Sequence, residues 1–453
     1  MYYAEKMNIE RDVSIDKLLL KQFMETDEGG ADEIIKNAII VNGIETVAFN
    51  NATKVLLHNN FSTEVKTGKI TSQEKSGRCW MFAGLNIFRP AIVNKLNIDD
   101  FEFSQNYIMF FDKLEKANYF LESILKTLDE DIYSRILMWL LADPLQDGGQ
   151  WDMFVNLIKK YGAVPKNIMP ETYHSNNSAV MNQLLNTQLR QWAAGLRERH
   201  ASGAGMQKLR DYKKECLKKF YLMLTKFLGD PPAHFVFEYR DKSDVQVNAG
   251  GVTPQTFFSN YVNAALDDYI SLIHAPTPDK PFGKTYTIDF LGNVAEGKII
   301  TYLNTSLDEI KECMISQLKS KEPIWFGCDV GWQTEKKKGL MDTDLYLFGK
   351  TLGSEFTLDK SSRLLYGQSR LTHAMAITGF HEANGKPVRW KVENSWGEER
   401  GEKGFFIMSD NWLNEYAYQF VINKKYMPAY LTEQSKQEPV VLPPWDPMGA
   451  LAL

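Results

Sequence analysis

The sequence predicts an α+β protein with segregated lobes, helical first and β-rich second. Two observations carry this reading. Residues 104–125, SQNYIMFFDKLEKANYFLESIL, open on Ser104 as an N-cap, and Trp151–Lys160 sets Phe154, Leu157, Ile158 and Tyr161 at helical spacing before Gly162 and Pro165 stop it. From residue 234 onward, short β-branched and aromatic runs replace helical periodicity: 234–239, 284–290, 323–330, 375–380, 389–395 and 404–409. A helical run followed by a strand run gives two lobes with a cleft between them, a natural place for a site.

Between these halves lies a basic helical region, 186–229, with ten Lys or Arg against three Asp or Glu. Leu209, Cys216, Phe220, Met223 and Phe227 keep an apolar stripe through it, and the ASGAG run at 201–205 separates two helices. It reads as a solvated hairpin or, more sharply, as a surface for oligomer contacts or polyanions. The tail, 432–453, carries Pro439, Pro443, Pro444 and Pro447, which forbid a continuous helix and favour an extended path. Its end is apolar, so it is expected to dock on the protein. One domain therefore spans 1–453, with a mainly helical lobe at 1–185, a helical insertion at 186–232, a β-rich lobe at 233–431 and a C-terminal arm at 432–453.

At 453 residues, 44% hydrophobic and 24% charged, the chain has a globular balance. A net charge of −5 argues against a dedicated nucleic-acid binder. The N-terminus has no basic segment followed by an apolar run, so no secretory signal is expected, and no apolar stretch is long enough to span a membrane. The four cysteines, Cys79, Cys216, Cys313 and Cys328, lie far apart without CxxC spacing. That spacing argues against a disulfide scaffold and a zinc site; no metal or other cofactor is expected, and the location is expected to be cytoplasmic.

Three clusters carry chemistry. In QEKSGRCWMFA (73–83), Cys79 heads a helix, where the macrodipole favours the nucleophilic thiolate, and Gln73 can donate to an oxyanion together with the Cys79 backbone N–H. In HAMAITGF (373–380), His373 enters an apolar strand as a general base and acid. In ENSWG (393–397), the Asn394 amide oxygen can orient the imidazole and the Trp396 indole can shield that bond. Cys79 and His373 are expected to rest as a thiolate–imidazolium pair. Taken singly the three signals are weak; in the order Gln, Cys, His, Asn they reinforce one another.

QEKSGRCW, HAMAITGF and ENSWGEERGEKGFF resemble the signature blocks of papain-like cysteine peptidases, and Gly148-Gly149-Gln150-Trp151 followed by YGAVPKNIMPETY resembles a fourth. The resemblance implies a papain-like two-lobe fold, Cys79, His373, Asn394 and Gln73 as catalytic residues, Trp80 and Trp396 in support, and a Gly148–Gly149 backbone that pairs with substrate. Ser76 stands where secreted members carry a disulfide cysteine, which fits a reducing compartment. His373 lies 294 residues after Cys79, against about 130–150 in the secreted enzymes. The excess is expected to be insertion, with the basic helical region at 186–229 as the obvious candidate.

With the tail EPVVLPPWDPMGALAL, the whole chain resembles the bleomycin hydrolase and aminopeptidase C family. That resemblance implies a homohexamer with enclosed active sites, an arm lying in the cleft, and a terminal carboxylate, here that of Leu453, facing the substrate's α-ammonium. The activity implied is that of a broad-specificity aminopeptidase acting on peptides with a free N-terminus. The competing readings are a papain-like endopeptidase, a polyanion- or nucleic-acid-binding ring with secondary peptidase activity, and a catalytically dead scaffold.

Overall fold

A computed structural model describes residues 14–26 and 29–451. The N-terminal segment read for a signal and the terminal Leu453 lie outside the described residues. The chain forms two compact units. The smaller joins Met1–Asn51 with Tyr346–Phe356. Its described helices are Lys17–Met24, Gly30–Asn42, Ile44–Ala48 and Phe348–Leu352, and its two segments are held by the Leu347 N–H on the Ala48 carbonyl and an edge-on Phe49–Tyr346 ring contact. The larger unit, Ala52–Leu345 with Thr357–Leu453, carries every residue singled out above.

Cys79–Asn86 is buried on all sides. Gln105–Lys126 is capped by Ser104, whose hydroxyl accepts from the Tyr107 N–H, and Trp151–Tyr161 ends at Gly162. The basic region is two helices, Ala179–Ala201 and Met206–Leu228. The first begins before residue 186, and the buried stripe of the second runs through Leu209, Cys216, Phe220, Leu224 and Leu228, with Met223 and Phe227 half-buried. Half of the ten cations are engaged within the fold. Arg190 and Arg197 cap backbone carbonyls of 127–142, Arg199 stacks on Tyr212, and Arg210 and Lys213 pair with Glu122.

The predicted strands all form, as Phe235–Arg240, Lys284–Ile288, Ile324–Cys328, His373–Ala383, Lys386–Glu393 and Phe405–Ser409. Among the described residues the first pairs only with Gln246–Val252, and it packs, through Phe235 and Phe237, into the helical core rather than the β-rich one. The others join a twelve-stranded mixed sheet among the described residues. Among the elements that escaped the sequence reading are Tyr269–Ile273, Ala417–Asn423, and Leu307–Lys319 with its Ser306–Glu309 capping box.

Strand periodicity separates two cores. On the 373–383 strand, Ala374 and Ala376 face the helical core, while Met375 and Ile377 face the β-rich one. On the neighbouring 324–328 strand, Trp325 faces the first core and Ile324, Phe326 and Cys328 face the second. These strands are the wall between the lobes, and the nucleophile helix packs directly against that wall.

The tail docks in pieces. Val440–Leu442 adds a parallel strand to Lys284–Ile288. Asp446, nearly buried, pairs with the buried Lys280 at 2.8 Å. Trp445 lies under the Arg135 guanidinium at 3.7 Å.

Candidate active site

Cys79 is the first residue of its helix and fully buried. Its sulfur meets the backbone N–H of Ala374, the residue after His373. His373 is the first residue of its strand, and its Nε2 lies 2.9 Å from Asn394 Oδ1. The Ser395 backbone N–H, which can only donate, points at the same atom at 2.8 Å. The atom facing the imidazole is therefore the acceptor, Nε2 carries the proton, and Nδ1 is left as the base. Trp396 stacks on the imidazole at 4.7 Å.

Asn394 sits where the 386–393 strand gives way to a turn. That turn needs Gly397, whose φ of +80° an L side chain rarely adopts. Its N–H bonds the Thr71 carbonyl, and the Gln73 N–H bonds the Ser395 carbonyl, so the loop before Cys79 is laced to the loop after Asn394. Gln73 is clamped at both ends of its amide. Nε2 donates to the Ser76 carbonyl at 2.6 Å, and Oε1 accepts from the Ser395 hydroxyl at 2.7 Å. The second N–H on Nε2 is left for a ligand.

Burial dominates the electrostatics. It pushes the Cys79 thiol up to about 12 against the backbone N–H groups of Ala374, Trp80 and Cys79 itself. It pulls His373 down to about 4 against the Asn394 bond, with Lys336 adding to the fall. Both shifts are set mainly by burial, which acts against the charge-favouring position at the helix terminus.

The glycine pair lies beside Trp80. A Cβ on Gly149 would sit 2.4 Å from the Trp80 ring, so glycine is needed here for packing as well as for any approach by substrate. Trp80 Nε1 donates to the Asp147 carbonyl at 2.7 Å, and the Gly148 carbonyl accepts from Lys116 at 2.6 Å. On the arm, the Ala450 carbonyl accepts from Gln150 Nε2 at 2.7 Å. The far end of the chain is thereby tied next to the glycine pair.

Sequence reasoning missed Asp147. Its Oδ2 accepts from the Gly77 N–H at 3.0 Å and from the Ser178 hydroxyl, while Oδ1 meets Lys113 at 2.6 Å and Asn182 at 2.8 Å. Burial alone would raise this carboxyl, but Lys113, Ser178 and Gly77 hold it well below the ordinary carboxylate range. It locks the nucleophile loop to the glycine pair. Lys113 and Lys116 on a helix whose other inward residues are largely apolar were the available signal, since a buried lysine needs a buried anion.

A family model described as the Peptidase C1-like family matches residues 14–449. Aminopeptidase C of Listeria monocytogenes is 49% identical, covering 93% of this chain and 95% of the relative. Bleomycin hydrolase of Gallus gallus is 39% identical over 84% of this chain and 86% of its own. The crystal structure of PepW from Lactobacillus rhamnosis HN001 superimposes with a TM-score of 0.96 at 47% identity, covering 97% of this chain and all of that one. The papain-like two-lobe fold is thus established, and this chain belongs to the Peptidase C1-like family, in its branch of cysteine-type aminopeptidases that includes aminopeptidase C and bleomycin hydrolase.

Proposed function

We propose that this enzyme removes single residues from the N-terminus of peptides through a Cys79–His373–Asn394 triad, with broad specificity. The observation that carries this reading is the arm, whose Ala450 carbonyl is tied to Gln150 beside Gly148–Gly149. An arm on that side of the nucleophile obstructs any chain that extends N-terminal to the residue being removed. A terminal carboxylate on Leu453 close by would favour a substrate's α-ammonium.

The chemistry follows from the geometry. As the sulfur attacks the first peptide carbonyl, His373 Nδ1 takes the thiol proton, because Nε2–H is held by Asn394. The free N–H of Gln73 and the Cys79 backbone N–H meet the developing oxyanion. His373 returns the proton to the leaving amine, and water releases the acyl group from the thioester.

The test pairs aminoacyl substrates having a free N-terminus with the same substrates N-blocked. The full chain should cleave only the free series, and Cys79→Ala should lower that activity by ~10³-fold or more without unfolding. Removal of residues 448–453 should admit blocked peptides and lower turnover of free ones about tenfold, the scale of a charge-assisted contact. An unchanged cleavage pattern after truncation refutes the role of the arm. We further propose a cytoplasmic homohexamer. Ser76 in place of a half-cystine supports the location, and the exposed apolar helices of the smaller unit support self-association.

A further inference from the structure

A recess lined by Ser72, Glu74, Lys75, Lys336, Trp396 and Arg400 opens beside the triad. Trp396, which stacks on His373, forms its inner wall. Ser72 pairs with Trp396 in an isolated bridge, so the recess lies on the Gln73 side of Cys79. The arm is tied at Gln150, in the glycine-pair segment. Under the aminopeptidase reading, on which this inference rests, the residue to be removed lies toward the arm. The leaving peptide then passes over Trp396 into the recess.

The charges of the recess are unbalanced. The Lys336 ammonium lies 5.7 Å and the Arg400 guanidinium 6.0 Å from the Trp396 ring centroid, and Lys75 stands at the rim. Among the described residues none of these three cations forms an ion pair, and Glu74 is the one acid in the lining. Their loops are braced. The Lys75 N–H bonds the Asn176 carbonyl, and the Gly401 N–H ties the Arg400 loop to the Lys337 carbonyl. Three cations on braced loops, none paired with an acid among the described residues, form a receptor for an anion.

We propose that this recess binds a carboxylate on the leaving side of the scissile bond, so that the favoured substrates are short peptides carrying one within two residues of the cut. Two extended residues span about 7 Å, enough to carry a chain end from the Trp396 ring to the cations. The carboxylate can be the peptide's own C-terminus or an acidic side chain. All three cations are exposed, so the gain is modest and screened by salt.

The experiment compares Leu-Ala as the free acid with Leu-Ala amide, and Leu-Asp amide with Leu-Asn amide, following leucine release by the full chain. In each pair the carboxylate-bearing peptide should show a kcat/KM about fivefold higher at low ionic strength. That ratio should fall toward one in 0.5 M salt and in the double variant Lys336→Gln, Arg400→Gln. A preference in one pair alone assigns the recess to that carboxylate source. Equal rates within both pairs, or a preference that survives in the double variant, overturn the proposal while leaving the aminopeptidase reading intact. Failure to cleave any of the four peptides overturns that reading, and the recess proposal with it.

Discussion

At the scale of single residues, Glu393 shows how tightly the site is embedded. It precedes Asn394, is fully buried, and lies 3.7 Å from the buried Arg89. Besides Arg89, the Thr67 and Asn86 side chains approach its carboxyl. Burial pushes it from the ordinary 4.5 up to about 7, against the pull of Arg89. A carboxyl that binds its proton more tightly folded than unfolded adds stability that is fully present below pH 4.5 and lost as pH rises through 7. The loss is about 3 kcal/mol. Glu393→Gln should remove this dependence, because Gln keeps the shape without the charge. Urea titrations at pH 5 and pH 8 should show the wild-type chain losing more stability than the variant; parallel losses would refute the assignment. The legible residues were those the chemistry names, Cys79, His373 and Asn394. Glu393 and Asp147 were not legible, because their partners Arg89 and Lys113 are remote in sequence and only burial makes the pairing obligatory.

At the scale of elements, the glycine pair and the helix that carries Cys79 act as one piece. Trp80 reaches under Gly149 and bonds the Asp147 carbonyl, while Trp325 donates from the wall strand to the Trp80 carbonyl. Gly149→Ala would force a methyl into the Trp80 ring, and neither the indole nor the segment between Asp147 and Gln150 has room to yield. The expected cost is about 1–3 kcal/mol of stability with a fall in kcat/KM, read by thermal melts and aminopeptidase assays. An unaltered melt would mean that the segment relaxes freely. Strands at 373–383 and 386–393 were legible because their residues are β-branched and aromatic. The strand at 269–273 and the helix at 307–319 were passed over, although Ser306 and Glu309 announce the helix as a capping box. The helix that carries the start of the basic region begins at Ala179, whereas charge rather than periodicity marked the region at 186.

At the scale of the whole molecule, the smaller unit presents Leu18, Phe23, Met24, Ile34, Ile40 and Val41, each more than half exposed. Apolar groups on adjoining helices in this number are unusual for a surface that meets only water. They support the proposed hexamer, and light scattering on the purified chain should return six times the 52.0 kDa protomer mass. The double variant Leu18→Asp, Ile40→Asp should shift the protein toward smaller species. A wild-type chain that runs as a monomer at micromolar concentration would end that proposal.

The sequence by itself determined the α+β class, the order of the chemistry-bearing residues and the existence of a docking tail, because helix caps, strand composition and proline are local signals. Only the tertiary structure decided how those residues work. Folding brings Cys79 to a wall strand 294 positions away, buries thiol and imidazole together, and ties the Ala450 end of the chain to Gln150. Desolvation, close packing and charge pairing act between segments remote in sequence, so they exist only once the chain has folded.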